Sequence, residues 1–144
     1  MLATRAEILH DSAMPNTPGP RSIFLSAVGL TPQVVTESLY ILATARRRFI
    51  PDEIHLLTTE EGQRRIDLML RQGLADLASD LDCPALAEAL GPNSIHVIHG
   101  ADGNPLTDIN SDIDNEAAAN TICTLVRSFT ADPATRLHVS RACA

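Results

Sequence analysis

Ser22-Ile-Phe-Leu-Ser-Ala-Val-Gly-Leu-Thr-Pro-Gln-Val-Val-Thr-Glu37 joins an apolar run of strand length to a turn that opens a helix. Ser22 to Val28 reads as a buried strand, and Gly29 offers a backbone bend that a side chain would oppose. Thr31 suits the N-cap, Pro32 the first helical position, and Gln33 to Ala45 the helix itself. Val35, Leu39 and Leu42 form its apolar stripe, widened by Val34 and Ile41. Arg46, Arg47 and Arg48 follow as the one tight basic cluster, placed to complement the helix dipole.

The same alternation continues down the chain. Ile54 to Thr59 reads as a second strand, with Thr59 capping a helix over Glu60 to Gln72. Gly73 to Leu90 reads as short helical pieces interrupted at Cys83-Pro84, and Ser94 to Ile98 as a third strand. A turn-rich loop, Gly100 to Pro105, leads to a long helix over Ser111 to Phe129, and Arg136 to Ser140 supplies a fourth strand. Strands separated by helices require parallel pairing, so the fold class is α/β: a three-layer sandwich around a mainly parallel, Rossmann-like sheet. Residues 1–20, rich in Pro and small polar residues, read as a flexible leader, and residues 21–144 as the domain.

Composition narrows the function. The 144 residues, 44% hydrophobic, suffice for one domain with a substantial core. A net charge of −7 and an absence of Trp argue against duplex nucleic acid and against an aromatic platform for single strands. Cys83, Cys123 and Cys143 lack metal-ligand spacing, and with no signal or membrane-length apolar run they fit a reducing cytoplasm. Asp102, Asp108, Asp112, Asp114 and Glu116 read as a solvated loop and helix start rather than a metal site. The histidines at 55, 96, 99 and 138 read as structural groups. No metal or cofactor is expected.

Parallel sheets bind ligands beyond the carboxyl ends of their strands, so Gly29 to Gln33, Thr58 to Glu61, His99 to Asp108 and Ser140 onward should converge. Neither G-x-G-x-x-G nor G-x-x-x-x-G-K-[ST] occurs, which disfavours ordinary dinucleotide and P-loop binding. Ser26, Thr31 and Gln33 can donate hydrogen bonds to phosphate or to a base edge. Capping and local backbone satisfaction account for them equally well, as they do for Thr58 and Thr59.

The segments Ser26 to Glu37, Glu53 to Gly62, Gly103 to Ile109, Asp114 to Glu116 and Asp132 to Ser140, in this order, resemble the CRISPR-associated Rossmann-fold (CARF) sensor domain in its ring nuclease branch. That resemblance implies a homodimer that binds a cyclic oligoadenylate second messenger across its two-fold axis during type III CRISPR defence. Some such domains also cleave the ring without a metal, by attack of a ribose 2′-hydroxyl on the neighbouring phosphate. Thr31 and Gln33 match the ligand-facing positions of such domains; the full ligand-binding set expected from the residues and the resemblance together is Ser26, Gly29, Thr31, Pro32, Gln33, Thr58, Thr59, Ser140 and Arg141, and no catalytic residue is assigned. Similar domains continue after the last strand with a glycine-containing turn and a basic residue. Here Arg141-Ala-Cys-Ala144 follows instead, so the reading expects a domain incomplete at its C-terminus. A non-catalytic binding or scaffold module and an inactive fragment are the alternatives.

Overall fold

A computed structural model describes residues 20–140. Apart from Pro20, the expected leader lies outside the described residues, as do Arg141 and the three residues after it.

Four strands, β1 (Ser22–Ala27), β2 (Glu53–Thr58), β3 (Ile95–Val97) and β4 (Arg136–Ser140), form one sheet in the order β3-β2-β1-β4. Every pairing is parallel: Phe24 lies opposite Ile54 on one side and His138 on the other, and Leu57 lies opposite His96. Helix α1 (Gln33–Thr44) connects β1 to β2. Helices α2 (Glu60–Arg65) and α3 (Arg71–Asp80), with a 3-10 turn over Pro84–Glu88, lead to β3, and α4 (Asp112–Phe129) returns the chain to β4. The α/β sandwich expected from the alternating pattern is therefore the architecture found.

Alternation along the strands sorts the side chains into two faces. Phe24, Ile54 and Leu56 pack with Val35 and Leu39 of α1 and with Leu74 and Leu77 of α3 in the main core. The opposite face carries Ile23, Leu25 and Leu57, all buried, and His55, whose ring lies 4.7 Å from that of Phe129 on α4.

Several boundaries differ from the sequence reading for identifiable reasons. The helix begun at Glu60 does not end at Gln72: a π-helical turn, Ile66–Leu70, joins α2 to α3 and carries the helical path through Gly73 to Asp80. Ile66, Leu70 and Leu74 are spaced by four, which drifts around an ordinary helix, and the wider turn keeps all three buried. Leu68 and Met69, on the same π-helical turn, face solvent. Gly73 acts as a contact rather than a breaker, since a Cβ there would lie 3.3 Å from the Thr36 methyl group on α1. On α1 itself Val35 and Leu39 are buried, whereas Ile41 is 65% exposed and lies outside the core. That helix ends at Thr44 with Ala45 extended, so Arg46 to Arg48 stand beyond its last turn and are not the dipole-matching residues expected. Helix α4 opens on a cap not assigned from the sequence, the Ser111 hydroxyl accepting from the Asp114 N–H.

Candidate functional site at the carboxyl edge of the sheet

Sequence order runs β1, β2, β3 in one direction across the sheet and then returns to place β4 on the far side of β1. The reversal of strand order between β1 and β4 is the topological switch point, where open parallel sheets have their ligand crevice.

Three of the four expected segments meet at this edge. A cleft of about 210 Å³ is lined by Ala27 to Leu30, Leu57 to Thr59, Ile98, Asp108 and Ile109, with Ala118 of α4 as its far wall. Of the fourth segment only Ser140 is described; it pairs in register with Ser26 and does not line the cleft. Its continuation at Arg141 is outside the described residues.

Most of the expected hydroxyls are occupied by the fold. Thr58 is buried, and its hydroxyl donates to the Val28 carbonyl at 2.7 Å, tying the β2 end to the turn after β1. The Thr59 hydroxyl accepts from the Gly62 N–H at 3.2 Å and caps α2 as expected. Ser26 is fully buried and donates to its neighbour's carbonyl at Ala27. Pro32 is buried, while Thr31 and Gln33 are exposed and lie outside the cleft lining.

Two expectations for the turn fail. Thr31 makes no side-chain cap; Pro32 occupies the N-cap position, and the Thr31 carbonyl accepts the Val34 N–H at 3.3 Å. Gly29 is not required by any bend, because its backbone lies outside the left-handed region and a Cβ would meet nothing within 4 Å. The glycine that packing does require is Gly62, which the sequence reading passed over. A Cβ at Gly62 would collide with the Thr58 hydroxyl and come within 3.2 Å of the Gly29 carbonyl. Glycine in the first turn of a helix costs stability in isolation, and this cost was the available signal of a close approach.

The two helix starts at this edge differ in what they can offer an anion. At α2, the Glu60 N–H donates to the Leu106 carbonyl at 2.8 Å, the Glu61 N–H to Thr107 at 3.5 Å, and the Gly62 N–H to Thr59. The loop after β3 supplies those carbonyls by folding back on itself: Leu106 N–H donates to Ile98, His99 bridges Pro105, and Gly103 takes the left-handed turn at φ 83°. Asp102 braces the loop by accepting from the Asn104 backbone and side chain, which holds its carboxyl below the usual range. At α1, by contrast, the N–H groups of Gly29, Leu30, Thr31 and Gln33 meet no partner among the described residues. Unpaired N–H groups at a helix start are suited to phosphate.

Beneath the cleft, on the α4 face, is a polar chain that strand register brings together. Arg21 donates to both Glu53 oxygens at 2.8 and 2.9 Å, Glu53 Oε1 lies 2.9 Å from His55 Nε2, and His55 Nδ1 lies 3.0 Å from His96 Nε2. Burial, with the nearby His55, lowers the His96 pKa, and the Arg21 hydrogen bonds lower that of Glu53. The structural reading of these histidines stands, although they are a pair rather than isolated groups. Among the described residues, no cluster of three or more metal-binding side chains occurs, and no helix is long and apolar enough to cross a membrane.

Sheet order, crossover layers and the switch-point edge define a Rossmann-like α/β protein. A family profile described as CRISPR-associated protein NE0113 (Cas_NE0113) matches residues 31–143, and the chain belongs to that family. Membership supports a role in CRISPR defence. No curated protein and no solved structure gives a significant match.

Proposed function

We propose that the protein binds a cyclic oligoadenylate second messenger at the carboxyl edge of its sheet, in type III CRISPR defence, as one half of a homodimeric pocket. The observation that carries this reading is the set of N–H groups at Gly29, Leu30, Thr31 and Gln33 without a partner among the described residues, set beside the exposed Thr31 and Gln33 side chains at the β1/β4 switch point. Backbone donors suit phosphates in a chain whose net charge of −7 offers no general attraction for them. The adjoining cleft, walled by Val28, Leu30, Leu57, Ile98 and Ile109, presents apolar surface to a base.

Size argues for the dimer. The cleft's 210 Å³ falls below the roughly 300–1,000 Å³ of ordinary small-molecule pockets, so one chain can hold only part of an oligonucleotide ring. Thr58, Thr59 and Ser26 serve this site by fixing the backbone of the turn. Thr31 and Gln33 face the ligand, Pro32 holds the helix entry, and Ser140 lies beside Ser26 on the neighbouring strand.

Ring cleavage, where it occurs, would break the P–O5′ bond as the adjacent 2′-hydroxyl attacks phosphorus, leaving a 2′,3′-cyclic phosphate and a 5′-hydroxyl. The protein would contribute orientation and charge stabilisation. Among the described residues, no basic side chain lines the cleft. Chromatography of cyclic tetraadenylate and hexaadenylate after incubation with the protein separates these readings: intact ring indicates a binding module, and linear product indicates a ring nuclease. In filter binding, Thr31→Ala and Gln33→Ala should each weaken retention of the ring. Unchanged retention in both would remove the turn from the site.

A further inference from the structure

A second surface, on the other side of α1, carries charges that the fold leaves unpaired. A groove of about 550 Å³ runs between α1 and α3, where Gly73 lacks a side chain and Tyr40, 52% exposed, and Ile41 form the apolar wall. Three carboxylates line it: Glu37 on α1, and Asp76 and Asp80 on α3. Asp76 accepts a hydrogen bond from Gln72 at 3.0 Å, and none of the three forms an ion pair among the described residues. Past the end of the same helix stand Arg46, Arg47 and Arg48, all exposed and likewise without an ion-pair partner among the described residues. Because α1 stops at Thr44, the helix dipole does not account for them.

We propose that this face is a self-complementary interface, in which the acidic groove of one copy receives the arginine cluster of a second copy. An antiparallel pairing of α1 with itself about a two-fold axis near Ile41 accomplishes this. It sets Ile41 against its counterpart and carries the arginine cluster of each copy toward the Glu37 end of the other. An acidic lining repels phosphate, which argues against nucleic acid or an anionic lipid as the occupant. The exposed Ile41 becomes the apolar centre and the charges the rim, the usual arrangement of a protein interface. At about 1.5 Å per residue, this pairing holds the two Gly29–Gln33 turns about 30 Å apart, so it differs from the contact that would share a ring and does not depend on that reading.

Sedimentation velocity without any nucleotide tests it. The wild-type chain should form a dimer at about 50 mM salt that weakens at about 500 mM, where screening is short-ranged. The variant Glu37→Arg/Asp80→Arg and the variant Arg46→Glu/Arg47→Glu/Arg48→Glu should each raise the dissociation constant about tenfold or more, with circular dichroism unchanged. Mixing the two variants restores opposite charge at both contacts, so a mixed dimer should form. A monomer at low salt, a dimer indifferent to both reversals, or a mixture that stays monomeric would each overturn the proposal. If either reversal variant fails to fold, neutral Glu37→Gln/Asp80→Asn and Arg46→Gln/Arg47→Gln/Arg48→Gln replace them, each should still raise the dissociation constant, and a dimer as tight as wild type with both would overturn the proposal.

Discussion

The two faces of the sheet carry similar apolar residues but are covered differently. On the α1–α3 side, Phe24, Ile54 and Leu56 meet Val35, Leu39, Ile66, Leu70 and Leu74, each essentially inaccessible. On the other side a single helix, α4, crosses the sheet and buries none of its 18 residues completely, even though Ile23, Leu25 and Leu57 beneath it are sealed. Polar groups also enter that second layer, where the Arg21–Glu53–His55–His96 chain lies under Phe129. Stability therefore rests chiefly on the first face, while the cleft opens on the second, between the sheet edge and Ala118. A site beside a thinly packed helix can adjust at low cost, because local opening energies follow the density of buried contacts.

The largest expected effect comes from the dense face. Leu39→Ala should lower unfolding free energy by about 2–5 kcal/mol in a denaturant titration, whereas Leu125→Ala on α4 should cost less than half as much. Equal costs would break the contrast between the faces. Next in size is the pair of glycines at the ligand edge. Gly62→Ala forces a methyl group onto the Thr58 hydroxyl and should destabilise by about 1–3 kcal/mol, while Gly29→Ala should stay within about 0.5 kcal/mol of wild type by thermal melting.

The two threonines that open helices give a smaller difference. Thr59→Ala removes a hydroxyl cap and should cost about 1 kcal/mol, and Thr31→Ala, which removes none, should leave the melting temperature unchanged. The smallest effect is pH dependence on the α4 face. His96 has a folded pKa below its ordinary 6.5, so the folded chain binds fewer protons than the unfolded chain as pH falls through that value. Its contribution is present above 6.5 and is lost on descent toward the folded pKa. Glu53, also lowered, acts in the same direction but from about 4.5 downward. His96→Gln should flatten the first of these declines in melts taken across pH, and a persisting slope between 6.5 and 5 would place its origin elsewhere.

Much of this was legible in the sequence because it depends on local pattern. Strands, crossover helices and the edge where loops gather follow from alternating apolar runs and their punctuation, and β4 occupies the expected Arg136–Ser140. Errors arose where a distant contact overrides a local preference. Gly73 reads as a helix breaker until α1 is seen against it, and Gly29 reads as the necessary glycine until Gly62 is found packed on its carbonyl. Thr31-Pro32 has the composition of a cap, yet the helix begins a residue later and leaves the threonine free. The His55–His96 contact depends on the register between β2 and β3, which single-strand patterns do not specify.

The central claim is that the Gly29–Gln33 turn contributes half of a site for a cyclic oligoadenylate. Isothermal titration of the protein with cyclic tetraadenylate and cyclic hexaadenylate tests it most directly. Saturable binding of one of them is expected at one ring per two chains, weakened in Thr31→Ala/Gln33→Ala. Absence of heat with both rings, or binding at one ring per chain that is unaffected by this double substitution, would contradict it.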